Sequence, residues 1–225
     1  MSLPHADGSI EVAGFVLAGG ESSRMGQDKA LLTFAGKPLI AHALAILSAA
    51  GLQPAIAGAR SAHSSFAPVV EDHPGDSGKG PLAGICAALR STSACLAVFL
   101  PVDLPFIPHS LIGYLASHAL VTGSPVTVAS VNGHPQTFPA VIEREALDLL
   151  EGQLNSGERG CLAGFRHAAE LLASRLSILP TELLVQNGQI FHPASLPPAF
   201  WFLNLNSARD LTRAERLATS GLRVS

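Results

Sequence analysis

Apolar runs of strand length alternate with segments of helical spacing along most of the chain. Several of the helical segments open with proline or end at glycine, as helices often do. The predicted strands cover residues 11–18, 54–59, 67–72, 95–103, 124–131, 137–142 and 201–206. The predicted helices cover residues 38–51, 81–90, 108–119, 144–157, 161–174 and 207–220. Ser207 is expected to cap the last of these helices.

Most of the predicted strands are apolar without interruption, which is typical of a sheet buried on both faces. The alternation of strands and helices therefore predicts an α/β fold, in which a mostly parallel sheet carries helices on both faces. The dipeptide Asn132-Gly133 lies between two predicted strands and favours a tight hairpin turn. At 225 residues the chain fits a single domain, 1–225, with residues 1–9 and 221–225 expected to be flexible.

The composition excludes several classes of protein. Apolar residues make up 48% and charged residues 14%, which indicates a globular protein. The net charge of −3 does not indicate a protein that binds nucleic acid, because such proteins usually carry an excess of positive charge. No apolar run approaches the roughly 18–20 residues that span a membrane, and the N-terminus lacks the pattern of a signal peptide. The cysteines are odd in number and lack zinc-site spacing, so buried thiols in a reducing compartment, the cytoplasm, are expected at Cys86, Cys95 and Cys161.

The stretch LAGGESSRMGQDKALL, residues 17–32, follows the first predicted strand and combines glycines with cations. Gly19 and Gly20 allow the backbone to turn sharply and to expose amide N–H groups to a ligand. Arg24 and Lys29 add positive charge, and an arginine can make forked contacts with phosphate oxygens. Together these groups predict a cradle for a polyphosphate. The alternative is an ordinary strand-to-helix turn with solvated charges.

Two aspartates close predicted strands: Asp103 ends residues 95–103, and Asp72 ends residues 67–72. Ligands of open parallel sheets bind beyond the carboxyl ends of the strands. Both acids are therefore expected at the edge that carries the loop after Leu17, which we call the cationic loop. Asp103 is a candidate ligand for Mg²⁺, which takes one or two protein carboxylates and completes its shell with water and phosphate oxygens. The alternative for both acids is a turn or helix-cap aspartate. The nine histidines are scattered without metal-ligand spacing, and we interpret them as surface or core residues.

Five motifs, in order from about residue 12 to about residue 217, resemble the molybdenum cofactor guanylyltransferase family. They are L-A-G-G-x-S-x-R-M-G-x-D-K-A-L-L, G-K-P-L, G-P-L-A-G, P-V-D-L-P-F-I-P and F-L-N-L-N-S. The first motif is specific to the wider nucleotidyltransferase superfamily. Its double glycine favours the guanylyl branch, because cytidylyl-transferring relatives often have L-A-A-G there. The resemblance implies a Rossmann-like three-layer sandwich.

The resemblance also implies the roles of individual residues. The nucleotide is expected to contact Leu17, Ala18, Gly19, Gly20, Lys29, Asp72 and Asp103. Catalysis is expected to depend on Arg24, Lys29 and Asp103, with Asp103 as the metal ligand. Asn204 and Asn206 match the family's N-V-N-T segment and are expected to serve the acceptor or metal side of the cleft.

The implied reaction is attack by the terminal phosphate of molybdopterin on the α-phosphate of Mg²⁺–GTP, with release of pyrophosphate. The implied partners are GTP, molybdopterin or the molybdenum cofactor, and proteins that insert molybdenum or receive the finished cofactor. Two alternatives stay open: a nucleotidyltransferase with another base or acceptor, such as cytidylyl transfer from CTP to molybdopterin, and a nucleotide-binding module without enzymatic activity. Ala57 stands where relatives often carry a nucleotide-contacting asparagine, which leaves the choice of base open.

Overall fold

Strands and helices alternate along the computed structural model, which describes residues 12–19, 28–58, 61–76, 78–157, 160–172 and 175–221. The strands in these ranges are β1 (Val12–Leu17), β2 (Thr33–Phe34), β3 (Lys37–Pro38), β4 (Pro54–Ala57), β5 (Val69–Val70), β6 (Leu96–Pro101), β7 (Val126–Val131), β8 (His134–Glu143) and β9 (Ser177–Pro180). The helices are α1 (Leu39–Ala49), α2 (Pro81–Ser91), α3 (His109–Thr122), α4 (Leu147–Ser156), α5 (Cys161–Leu171), α6 (Thr181–Gln186), α7 (Pro198–Trp201) and α8 (Ala208–Gly221). Short 3₁₀ helices cover Lys29–Leu31, Ser61–His63 and Arg144–Ala146.

The main sheet has seven strands in the order β5-β4-β1-β6-β8-β7-β9. Its pairings are parallel except for the two that β8 makes with β6 and β7. The reversal occurs at Asn132 and Gly133, whose φ angles of 50° and 75° are those of the predicted hairpin turn. The mostly parallel α/β sheet that the sequence predicted is therefore confirmed.

Helices cover the sheet on both faces, because successive side chains of a strand point to opposite sides. In β6, Val98 and Leu100 face one layer, which contains α1 and α3, whereas Ala97 and Phe99 face the other. The second layer contains α2, α4 and α5, with Phe165 of α5 fully buried. This arrangement confirms the predicted three-layer sandwich.

The C-terminal region differs from the sequence prediction. Residues 201–206 are not a strand: Trp201 ends α7, and 203–206 has no regular structure. The alternation of leucine and asparagine imitates a strand because Leu205 is buried while its neighbours face the other way. The structure adds β9 at the edge of the sheet and the small hairpin of β2 and β3, which are too short to produce a periodic signal.

Two of the three cysteines are buried, as predicted. Burial raises the pKa of the Cys86 thiol to about 12 and that of the Cys161 thiol to about 11, so both are protonated at neutral pH. The prediction for Cys95 is wrong, because this residue is exposed just before β6. In the described ranges, no helix is long and apolar enough to cross a membrane.

Candidate active site at the carboxyl edge of the sheet

The carboxyl ends of β1, β4 and β6 are joined by backbone hydrogen bonds that continue past the strands. The amide of Val102 donates to the carbonyl of Leu17 at 3.2 Å, and the amide of Ala18 donates to the carbonyl of Ala57 at 3.1 Å. The start of the cationic loop thus lies between the ends of its two neighbouring strands. Parallel strands that end together leave a crevice at this edge of the sheet.

Close backbone packing requires glycine where β1 and β4 end. A Cβ atom on Gly19 would lie 2.5 Å from the carbonyl oxygen of Gly58, which is too short for any real contact. Gly58 itself has a φ of +66°, in the left-handed region that favours glycine. A Cβ on Gly84 of α2 would lie 3.3 Å from the amide nitrogen of Gly58. The two loops and the first turn of α2 are therefore packed backbone against backbone.

Lys29 and Asp103 form an ion pair across this edge. The Nζ atom of Lys29 lies 2.6 Å from Oδ2 of Asp103, and their side chains are 22% and 19% exposed. Lys29 begins a 3₁₀ helix that follows the cationic loop, and Asp103 follows β6 within two residues of its end. The contact joins residues 74 positions apart in the sequence. The cation and the acid that the sequence assigned to one edge are thus in direct contact.

The segment 203–206 completes this cluster from the C-terminal side. The Nζ atom of Lys29 also donates to Oδ1 of Asn206 at 2.5 Å, and the amide of Leu205 donates to the backbone oxygen of Asp103 at 3.0 Å. We orient the Asn204 amide with its nitrogen toward Asp103, because its oxygen would otherwise face only carboxylate oxygens. In this orientation Asn204 donates to both carboxylate oxygens of Asp103, at 3.0 and 3.1 Å.

Asp210 fixes the chain where this segment enters α8. Its Oδ2 atom accepts hydrogen bonds from the Asn206 amide at 3.1 Å and from the Ser207 hydroxyl at 2.8 Å, while the Asp210 amide donates to Ser207 Oγ at 3.2 Å. The hydrogen bond from Ser207 is the main reason why the pKa of Asp210 lies below its ordinary value. The predicted Ser207 cap is confirmed, and the reciprocal contact resembles a capping box.

Asp72 lies at the same edge but outside the Lys29–Asp103 cluster. The strand that precedes it, β5, is three strand spacings from β6, or about 14 Å across the sheet. Its Oδ1 atom is buried, has no partner within the described part of the chain, and lies 3.5 Å from the position of a Cβ on Gly58. Burial, with a smaller contribution from the charge of Asp76, raises the pKa of Asp72. Among the described residues, Asp72 therefore has a buried oxygen that accepts no hydrogen bond at this edge of the sheet.

Several predicted site residues thus converge, and two fall outside the description. Lys29, Asp103, Asn204 and Asn206 contact one another, and Leu17, Ala18 and Gly19 line the adjoining strand ends, whereas Gly20 and Arg24 lie outside the described residues. In the ranges that the structure describes, no group of three or more His, Cys, Asp and Glu side chains could hold a metal ion.

Sequence reasoning missed three residues that support the site, namely Asp28, His63 and Asp210. The spacing of Ser207 and Asp210 is the S-x-x-D pattern of a capped helix and could have indicated the role of Asp210. Asp28 and His63, which pair at 2.8 Å, lie 35 positions apart, and no motif connects them.

The chain is similar to known nucleotidyltransferases over most of its length. The family described as MobA-like NTP transferase domain matches residues 14–173. The molybdenum cofactor guanylyltransferase of Rhizobium johnstonii is 33% identical over 216 residues, which cover 91% of this chain and 92% of the relative. That of Rhodobacter capsulatus is 40% identical over 116 residues, which cover 49% of this chain and 60% of the relative.

A solved structure shows the same fold. The crystal structure of molybdopterin-guanine dinucleotide biosynthesis protein A from Archaeoglobus fulgidus matches with a TM-score of 0.73 and 24% identity. The match covers 92% of this chain and 99% of the other chain. The fold is therefore shared with this protein.

Proposed function

Because this chain belongs to the family of MobA-like NTP transferase domains, we propose that it transfers GMP from Mg²⁺–GTP to the terminal phosphate of molybdopterin, with release of pyrophosphate. The observation that carries this proposal is the contact of Lys29 and Asp103 at the carboxyl ends of the strands, beside the backbone of Leu17 to Gly19. A cation for phosphate oxygens and an acid for a metal ion are the two charges that transfer of a nucleotidyl group needs side by side.

The reaction requires little covalent chemistry from the side chains of the protein. A phosphate oxygen of the acceptor forms a bond to the α-phosphorus of GTP, and the bond from that phosphorus to the oxygen of the leaving pyrophosphate breaks. The acceptor phosphate is already ionised at neutral pH, so no general base is required. The chain contributes by aligning two anionic substrates and by compensating the charge that develops on the leaving group.

The residues around Asp103 fit a divalent cation, Mg²⁺. The ammonium group of Lys29 lies 2.6 Å from Asp103 Oδ2 and 2.5 Å from Asn206 Oδ1, so two hard oxygen donors already favour positive charge at this position. Mg²⁺ prefers such oxygens and takes its remaining ligands from water and phosphate. Asp103, with Asn206 beside it, would hold the ion, which when bound supplies charge neutralisation at the phosphates. Lys29 would then turn to the phosphate oxygens.

The nucleotide is proposed to extend from this cluster along the strand ends. The backbone of Leu17, Ala18 and Gly19 would contact it, and Gly20 and Arg24 join this set through the motif that they share with the family. At the far end, the unpartnered Oδ1 atom of Asp72 would accept a hydrogen bond from the nucleotide. This contact would give a use to an oxygen whose burial otherwise destabilises the fold.

The acceptor is proposed to approach from the side of Asn204 and Asn206, which contact Asp103 and Lys29 and carry amide groups suited to polar ligands. We also propose that the protein is located in the cytoplasm and that it contacts proteins that insert molybdenum or receive the finished cofactor. It also treats residues 1–225 as one nucleotidyltransferase domain.

The test of the proposal is calorimetric titration of the full chain with GTP, CTP and ATP in the presence of Mg²⁺, followed by measurement of pyrophosphate release with molybdopterin. We expect GTP to bind and to yield pyrophosphate only when the acceptor is present. Tight binding of CTP with negligible binding of GTP would replace guanylyl by cytidylyl transfer. Binding without pyrophosphate release, with acceptor of verified competence, would favour a nucleotide-binding module.

Replacement of Lys29 by alanine tests the phosphate contact within this site. We expect the Kd of GTP to rise about tenfold to a hundredfold, because a charge-assisted hydrogen bond contributes about 1.5–3 kcal/mol, whereas the Kd of guanosine should change little. Arg166→Ala, an exposed cation on α5, serves as the control and should alter neither Kd. Equal losses of GTP and guanosine affinity in the Lys29 variant would contradict a phosphate contact.

A further inference from the structure

His63 is a buried imidazole that the proposed reaction does not use. It is 1% exposed and ends the 3₁₀ helix Ser61–His63, which follows β4. Its Nε2 atom lies 2.8 Å from Oδ2 of Asp28, the residue that precedes Lys29. Its other ring nitrogen, Nδ1, is buried and has no hydrogen-bond partner in the described ranges. Burying an unsatisfied ring nitrogen is unfavourable, so a residue needed only for packing would not be polar here.

The Asp28 carboxylate is held at both oxygens. Its Oδ1 atom accepts a hydrogen bond from the amide of Ala30 at 3.0 Å and so caps the 3₁₀ helix that starts at Lys29. Its backbone oxygen accepts from the amide of Leu31 at 3.1 Å. Since Oδ2 is held by His63, the carboxylate cannot rotate away from the helix that it caps. Ala30, 1% exposed, anchors the same turn in the core.

In the sequence, Lys29 lies between Asp28 and Ala30, whose positions are fixed. Its long side chain must bring the Nζ atom close to Asp103. Its Nζ atom lies 2.6 Å from Asp103 Oδ2, although a lysine side chain is flexible and loses considerable entropy when it is fixed. A fixed backbone at Lys29 therefore limits where its ammonium group can be. Errors of about 1 Å in the position of a catalytic charge are sufficient to lower rates substantially.

We infer that His63 is a positioning residue for Lys29: it holds the Asp28 carboxylate, which caps the short helix from which Lys29 reaches Asp103 and the substrate phosphates. The part of this inference that concerns phosphates rests on the proposed function. The part that concerns the Lys29–Asp103 contact does not. The competing explanation is that the His63–Asp28 pair only joins the β4–β5 connection to the rest of the fold.

The experiment compares His63→Leu with His63→Gln in the full chain. Glutamine places an amide nitrogen near the position of Nε2 and can still donate to Asp28, whereas leucine fills the space without a donor. We expect His63→Leu to raise the Kd of Mg²⁺–GTP about tenfold, the effect of one lost hydrogen bond of ordinary strength, and to leave the Kd of guanosine unchanged. His63→Gln should recover most of the GTP affinity.

A double-mutant cycle tests whether the effect passes through Asp28. Asp28→Ala should weaken GTP binding by itself, and adding His63→Leu should produce little further loss, because the two residues act in one chain of contacts. Fully additive losses would contradict the inference. It would also be overturned if His63→Gln were as defective as His63→Leu, or if GTP and guanosine affinities fell equally in both.

A crystal structure of His63→Leu separates this inference from the proposed function. We expect the Lys29–Asp103 distance to exceed the limit of an ion pair, about 4 Å, whichever nucleotide the protein binds. An unchanged contact of 2.6 Å would overturn the positioning role even if GTP transfer were established. Conversely, a lengthened contact in a protein that prefers CTP would support the positioning role and refute only the assignment of the base.

Discussion

Three aspartates at the edge of the sheet differ in how their negative charge is compensated. Asp103 receives hydrogen bonds from Lys29 and Asn204, so its carboxylate is well satisfied without any ligand. Asp28 uses one oxygen for a helix cap and the other for His63. Asp72 has one buried oxygen without a partner in the described residues. Substitution of each carboxylate therefore tests a different property: turnover for Asp103, positioning for Asp28 and stability for Asp72.

Asp103→Asn should abolish turnover and preserve the fold. The substitution keeps the shape of the side chain but removes the charge that would hold the metal ion, and we expect kcat for pyrophosphate release to fall by about 10²–10³ or more. Asp148→Asn, an exposed acid on α4, is the matched control and should behave like the wild type. Normal turnover of Asp103→Asn at saturating Mg²⁺ would refute the metal-binding role of Asp103.

Asp72→Asn should make the protein more stable at neutral pH. Burial raises the pKa of Asp72 in the folded state above its value in the unfolded chain, so folding favours the protonated form. The stability that this preference contributes is present at pH values below the unfolded pKa, and it is lost as the pH rises through the folded pKa. As the pH rises from the unfolded to the folded pKa of Asp72, the free energy of unfolding of the wild type should therefore fall relative to that of Asp72→Asn. At higher pH the difference between the two proteins should stay constant.

Urea unfolding from about pH 3 to pH 7, a range that brackets the ordinary pKa of aspartate, measures this difference. Asp148→Asn again serves as the control, because its side chain is exposed. A difference between Asp72→Asn and the wild type that does not vary with pH would contradict the burial argument. Lower stability of Asp72→Asn at neutral pH would contradict it as well.

Among the elements, unbroken apolar runs and helix boundary residues gave the predictions that succeeded. The strands β1 and β6 were predictable within a few residues because each is a continuous apolar run of strand length. The helices α1 and α2 were predictable because a proline marks the start of each. The segment 201–206 was predicted wrongly, because Leu203, Asn204, Leu205 and Asn206 alternate as a strand does although the segment crosses the edge of the sheet. Alternation indicates which side each residue faces, and it does not identify the surface against which the segment packs.

The contact between the ends of β1 and β4 leads to a prediction at this scale. Gly19→Ala should destabilise the fold by about 1–3 kcal/mol, because its methyl group would lie 2.5 Å from the Gly58 carbonyl oxygen and force the two loops apart. Gly152→Ala is the matched control: a Cβ there has no neighbour within 4 Å, and alanine in α4 should stabilise the helix by about 0.5–1 kcal/mol.

Chemical denaturation measures both variants, and titration with GTP measures the effect on the site. We expect only Gly19→Ala to lose nucleotide affinity, since the separated loops no longer present their backbone amides together. A Gly19→Ala protein as stable as the wild type would show that the β1 and β4 loops can separate without penalty. Their close approach would then have no role in the site.

The whole molecule brings together segments that are far apart in the sequence. Lys29 contacts Asp103 over 74 positions and Asn206 over 177 positions. The first of these contacts could be anticipated, because the carboxyl ends of parallel strands meet at one edge. The second was implied only by the family resemblance of the F-L-N-L-N-S motif, since the contact depends on how the chain after α7 returns across the sheet. The His63–Asp28 pair was unpredictable, because neither residue belongs to a spacing that indicates contact.

Binding at this edge should stabilise the entire fold. GTP at about 100 times its Kd contributes about 2.7 kcal/mol to the free energy of unfolding, which raises Tm by about 5–10 °C in a chain of this size. Thermal unfolding with GTP and Mg²⁺ measures the shift, and CTP at the same concentration is the control. A larger shift with CTP would indicate a cytidylyl rather than a guanylyl enzyme. In Asp103→Asn, the part of the shift that requires Mg²⁺ should disappear.

Trp201, the only tryptophan of the sequence, ends α7 immediately before the segment that carries Asn204 and Asn206. Its side chain is 1% exposed, its Nε1 atom donates to the carbonyl of Leu196 at 2.7 Å, and its ring lies 5.9 Å from that of His192. Intrinsic fluorescence excited at the red edge of the absorption band therefore originates from a single indole next to the proposed acceptor side. A change in this emission when the acceptor is added would therefore report a response of the 203–206 segment in unlabelled protein.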